Sequence, residues 1–109
     1  MFDSIIRAWR WIKKIVLTII RFVDNIVSWF ENPNRLRELQ EDMDNIAVAV
    51  KEKLENGDCG LIKCLFNTRE GEIVGREESS NPYAEGMISD SLDEETKRVF
   101  GNKDMIVLE

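Results

Sequence analysis

The first thirty residues alternate apolar and polar positions in a way that suits a helix. Placed at 100° intervals, Ile5, Ile12, Ile19 and Ile26 form one row, and Trp9, Val16, Val23 and Phe30 a second. Ala8, Ile15, Phe22 and Trp29 form a third row beside them, with Trp11 at the edge. Arg7, Lys14, Arg21 and Ser28 fall opposite, and Arg10, Lys13, Thr18, Asp24, Asn25 and Glu31 share that polar side. Only Ile6 and Leu17 break the segregation. No period of two is visible. The pattern predicts one long amphipathic helix over residues 1–32, with an apolar arc of about half the circumference.

Glu31-Asn32-Pro33-Asn34 interrupts that helix, because proline lacks a donor and disfavours helix in the residue before it. Asn32 is placed to cap a second helix, with Pro33 at its first position. Leu36, Leu39, Met43, Ile46, Val50 and Leu54 recur at steps of three and four and predict that helix over residues 33–56. The stripe is narrow and resembles a coiled-coil seam. Gly57 is its expected left-handed cap.

Residues 57–109 read as a small α+β module. Leu61 to Phe66 predicts a strand, Asn67 to Gly71 a turn, and Glu72-Ile73-Val74 a returning strand. Residues 77–90 are acidic and polar and are expected as loop. Ser91 with Glu94 fits a capping box for a helix that Gly101 ends. Met105-Ile106-Val107-Leu108 reads as a last strand. The expected class is thus α+β and mostly helical: a long N-terminal amphipathic helix, a second helix after the proline break, and a β-hairpin–helix–strand module.

Charge sharpens the reading of the N-terminal segment. The chain carries a formal net charge of −6, which disfavours nucleic acid as a partner. Yet Arg7, Arg10, Lys13, Lys14 and Arg21 stand against only Asp3 in the first 23 residues, whereas residues 57–109 hold six basic and twelve acidic side chains. A cationic helix edged by tryptophans suits the headgroup level of a bilayer. A single span is disfavoured, because only six uncharged residues separate Lys14 from Arg21 and a span needs about twenty. The helix is still long enough for several copies to cross together, lined by Arg7, Arg10, Lys14 and Arg21 as a pore.

Catalytic chemistry finds little support. There is no histidine to activate Ser79, Ser80, Ser89 or Ser91. Asp90, Asp93, Glu94 and Glu95 suit a capped helix start better than a metal cluster. Gly71, Gly75 and Gly86 form no phosphate loop. Cys59 and Cys64 lack the partners of a zinc site or disulfide framework and read as reduced thiols. Lys63 is the basic neighbour of Cys64 but points to the opposite strand face. No cofactor or metal is expected.

The expected function is non-enzymatic: a small, self-assembling, membrane-associated protein, cytoplasmic at the inner face of a membrane, with an acidic α+β module for docking or regulation. Its partners would be itself, lipid, and a protein docked on residues 57–109. In the competing reading the chain is a soluble helical homo-oligomer or adaptor subunit, with the first helix buried against copies or a larger partner.

Overall fold

The computed structural model describes residues 3–108, and its organising feature is a six-stranded sheet. The chain opens with a short helix α1 (Asp3–Arg7) and a 3-10 turn (Ala8–Arg10), followed by strand β1 (Lys14–Ile20). A π-helical turn (Phe22–Val27) leads into α2 (Ser28–Phe30) and then α3 (Pro33–Glu41). Strands β2 (Asn45–Lys53), β3 (Cys59–Asn67), β4 (Glu72–Ile73) and β5 (Ala84–Leu92) follow, then α4 (Glu94–Phe100) and β6 (Met105–Leu108).

The strand order is β1-β5-β3-β2-β6, with β4 paired to one end of β3. Only β1 and β5 pair in parallel; the other pairs are antiparallel. The central strand β3 is buried on both faces, as its near-continuous apolar run requires. Its alternate side chains feed two cores. Leu61 and Leu65 join Ala47, Ala49, Met87, Ile20, Ile26, Phe30, Leu92 and Phe100 on the first face. Ile62, Cys64 and Phe66 join Val48, Val50 and Ala84 on the second, beneath Ile5 and Ile12. Fully burying an isoleucine such as Ile5 contributes about 1.5–3 kcal/mol.

This architecture overturns the mostly helical class expected from the sequence. Strand occupies 38% of the chain and helix 31%, so sheet is the dominant element, and no long N-terminal helix exists. Helical structure from Asp3 stops at Arg10, and Lys14–Ile20 is extended. The reason is local. Ile15, Val16, Thr18, Ile19 and Ile20 are β-branched, which restricts χ1 in a helix and suits a pleated surface. The predicted second helix ends at Glu41. There Asp42 folds back, its Oδ1 accepting from the Asp44 N–H at 2.9 Å and its carbonyl from the Asn45 N–H at 3.0 Å. Residues 45–53 then form β2.

The coiled coil and the pore fall with those helices. Leu36 and Leu39 lie on α3, which is nine residues long, while Ile46 and Val50 lie on β2, so no heptad seam exists. Among the described residues no helix is long and apolar enough to cross a membrane. β5 begins inside the stretch expected as loop, at Ala84. Because β5 runs to Leu92, the cap of α4 is Asp93, whose Oδ1 accepts from the Thr96 N–H at 2.9 Å, rather than Ser91. Gly101 ends α4 with φ +56°, a conformation open to glycine.

Candidate interaction surface

The fold divides the residues expected to form one apolar face. Ile5 and Ile12 are buried in the second core, with Trp9 and Trp11 packed against it. Ile26 and Phe30 are buried in the first core, with Ile15, Phe22 and Trp29 packed against it. Ile19 is half-buried on β1. Val16 and Val23 stay out, 78% and 50% exposed. The helix-2 residues are also dispersed. Leu36 and Met43 are exposed, and Leu39 packs on the first core. Ile46 and Val50 serve the second core, and Leu54 lies over Gly60 just beyond β2.

The basic residues share one property: Arg7, Arg10, Lys13, Lys14 and Arg21 are all exposed. Lys13 and Lys14 stand at the start of β1 and Arg21 follows its last residue. Lys14 Nζ sits 5.0 Å from the Trp9 ring centroid, a cation–π distance. Arg21 is 3.7 Å from the Asp24 carboxylate, and both are exposed, so that pair contributes little.

Of these, Lys13, Lys14 and Arg21 frame an open sheet edge. Among the described residues no strand pairs with the outer side of β1. Its inner side is joined to β5: the Gly86 N–H donates to the Lys13 carbonyl at 2.7 Å, and Ser89 Oγ donates to the Thr18 carbonyl at 2.9 Å. Backbone groups alternate along an extended strand, so those of Val16 turn outward. An unpaired row of N–H and C=O groups is a template for another strand. Lys14 and the irregular pairing at Thr18 blunt its ends, as edge strands commonly require. Ile15, Val16 and Leu17 between them carry no such protection.

The surface continues from Val16 across the second face of the sheet. Val16 is level with Ile88 of β5, and Ile88 with Gly60 of β3. Leu54 covers Gly60 and borders a cavity of about 420 Å³ with Ile6, Trp9 and Arg10, rimmed by Glu52, Lys53 and Glu55. The opposite edge, β6, is also unpaired among the described residues, and Val107 there is 47% exposed.

Two polar clusters escaped the sequence reading. Lys63, on the first-core face of β3, is 3% exposed. Its ammonium lies 3.0 Å from Glu85 Oε1, donates to the Asn25 carbonyl at 2.7 Å, and sits 5.2 Å from the Trp29 ring centroid. The π-helical turn presents that carbonyl to the sheet. Arg35 stacks on the same ring at 3.8 Å and donates to the Pro82 carbonyl. Burial lowers the Lys63 pKa, and the hydrogen bond and charge of Glu85 oppose that shift. A lone lysine within Leu61–Phe66 was the available signal. With carboxylate, carbonyl and ring engaging its ammonium, Lys63 fastens the π-helical turn to the sheet and offers no free group to a substrate.

The second cluster joins two turns. Asn67 Nδ2 donates to Asn45 Oδ1 at 2.8 Å and Asp42 Oδ2 at 3.3 Å, and Arg69 reaches Asp44 at 3.1 Å and Asp42 at 3.5 Å. It lines an open cavity of about 410 Å³ with Glu38, Glu41, Glu70 and Glu72. Among the described residues no group of three or more acidic or cysteine side chains is placed to hold a metal ion. Cys59 and Cys64 are unpaired thiols. No protein-family model, curated protein or solved structure matches this chain.

Proposed function

We propose that this chain is a non-enzymatic interaction module that assembles with copies of itself through its sheet edges. The carrying observation is the outer edge of β1, unpaired among the described residues, where Val16 is 78% exposed between Lys13–Lys14 and Arg21. An apolar, accessible strand edge lowers its free energy by adding a strand. Sedimentation velocity over a wide concentration range tests the reading. A mass that grows with concentration supports it, and a monomer at every concentration overturns it.

The five exposed basic residues favour a second reading, docking on an anionic membrane surface. Each basic side chain near such a surface contributes about 1 kcal/mol. Ile6 and Val16, 44% and 78% exposed, add apolar contact, but Glu52 and Glu55 lie beside Ile6 and oppose it. Flotation with anionic and neutral vesicles tests it. Binding to anionic vesicles alone, lost when Arg7, Arg10 and Lys14 become Glu, supports docking; no flotation overturns it.

A further inference from the structure

We infer that assembly is head-to-tail: the β1 edge of one copy pairs antiparallel with the β6 edge of the next, extending one sheet through successive molecules. This rests on the self-assembly reading and adds which edge meets which.

Direction comes first. β1 runs with β5, and each step from β5 through β3 and β2 to β6 reverses the chain. So β6 runs opposite to β1. A second copy in the same orientation, shifted sideways, therefore brings its β6 antiparallel to the first copy's β1, with both sheet faces continued.

Register comes second. The Lys51 N–H donates to the Asp104 carbonyl at 2.6 Å, which turns Asp104, Ile106 and Leu108 toward β2 and the backbone of Met105 and Val107 outward. Val107 lies beside Val48 on the second face of the sheet. Val16 also has outward backbone groups, and its side chain lies on that same face, level with Ile88 and Gly60. Opposing Val16 to Val107 thus satisfies hydrogen bonding and facing together. It sets Ile15 beside Leu108 and Leu17 beside Ile106 on the first face. There Leu108 borders a cavity of about 210 Å³ lined by Val27, Phe30, Leu36 and Leu39, next to the incoming Ile15.

Charge comes third. In this register Lys13, which alternates with Val16 and so lies toward the first face, approaches the Leu108 end of β6, where exposed Glu31 borders the same cavity; Lys14 stays on the second face beside Trp9. Ile19 meets Asp104, which brings that exposed carboxylate near Arg21; Lys103, in the preceding turn, opposes it. Symmetric pairing of β1 with β1 instead gathers Lys13, Lys14 and Arg21 from both copies along one seam. Like charges across a strand pair are destabilising, so the two different edges suit each other better than β1 suits itself.

The test blocks one edge at a time. Val16→Pro removes an outward donor from β1, and Val107→Pro removes one from β6, each leaving its inner ladder donors in place. Val16→Lys and Val107→Lys repeat the test with side chains alone, and circular dichroism confirms folding. Head-to-tail pairing expects each variant to be monomeric where wild type polymerises, with the assembly midpoint raised about tenfold or more. An equimolar mixture of a β1-blocked and a β6-blocked variant should form one-to-one dimers and stop, because each contributes the edge the other lacks. Dimers formed by the β6-blocked variant alone, or assembly indifferent to all four changes, overturn the head-to-tail arrangement while self-assembly stands. A wild type monomeric at every concentration overturns both.

Discussion

Lys63 carries a positive charge into the middle of the sheet, and three groups hold it there: the Glu85 carboxylate, the Asn25 carbonyl and the Trp29 ring. Removing one member of such a pair leaves the other buried and uncompensated, whereas removing both is often close to neutral. Glu85→Ala is therefore expected to cost about 3–5 kcal/mol in urea unfolding. The Lys63→Met, Glu85→Leu double variant should recover most of that loss. If the two single effects simply add, the pair is not coupled as described. Cys64, directly after Lys63, lies on the other face in a dry environment that pushes its thiol from 9.0 up to about 12. In the unfolded chain the thiol ionises near its ordinary value, so the unfolded state is favoured as pH rises from about 9 toward 12. The slope is about 1.4 kcal/mol per pH unit in that window, with no contribution below it. Wild type should thus lose more stability than Cys64→Val between about pH 8 and pH 10. Native iodoacetamide labelling should modify half-exposed Cys59 first, and Cys64 only after denaturant is added.

At the scale of elements, the second face of the sheet depends on how closely the N-terminal turn approaches β5. A Cβ on Gly86 would come within 3.0 Å of Trp9 Cζ3 and 3.3 Å of Ile12 Cγ2. Gly86→Ala is expected to destabilise by about 1–3 kcal/mol and to shift tryptophan fluorescence toward the exposed value. Gly60→Ala meets the tip of Leu54 at 3.1 Å, which can move, and the Glu52 carbonyl oxygen at an ordinary contact distance of 3.4 Å, and should cost less by the same urea assay. Equal costs would mean that the turn is not held against Gly86. The same segment shows why the sequence pattern misled. A spacing of four residues satisfies both a helix and a strand, since it is near one helical turn and is twice the strand period. Ile46, Val50 and Leu54 fit both; Val48, with Ala47 and Ala49 beside it, fits only the strand. Across residues 15–20 every position but Thr18 is apolar, so helical rows fill whatever the true period, and the β-branched run was the more informative signal. β3, β4 and β6 fall where short apolar runs are bounded by turn residues. β5 was hidden because Glu85, Gly86, Ser89, Asp90 and Ser91 interrupt its apolar pattern. Of the candidate surface, the excess of basic residues over 7–21 was legible. The open edge was not, because it depends on which strands find partners.

For the whole molecule, a sheet whose two different edges are unpaired among the described residues makes the sign of its salt dependence informative. Net charge is −6, so two copies repel at long range unless their meeting surfaces differ locally. At about 0.1 M ionic strength the screening length is about 10 Å, so exposed charges interact mainly with those brought alongside. Head-to-tail pairing brings Lys13 toward Glu31, and Arg21 toward Asp104. Screening removes that attraction, so assembly is expected to weaken as NaCl is raised. Symmetric pairing through β1 concentrates basic charge on one seam, and screening then relieves repulsion, so assembly should strengthen. Reversing Lys13 to Glu should weaken head-to-tail assembly at low salt and reduce its salt dependence. The matching change Glu31→Lys should restore association in the charge-reversed chain, because opposite charges meet again at the Leu108 end. Sedimentation velocity at low and high salt reads all of these. Assembly that strengthens with salt in wild type, or a failed Glu31→Lys rescue in chains shown to be folded, would mean that these two edges do not meet in this register.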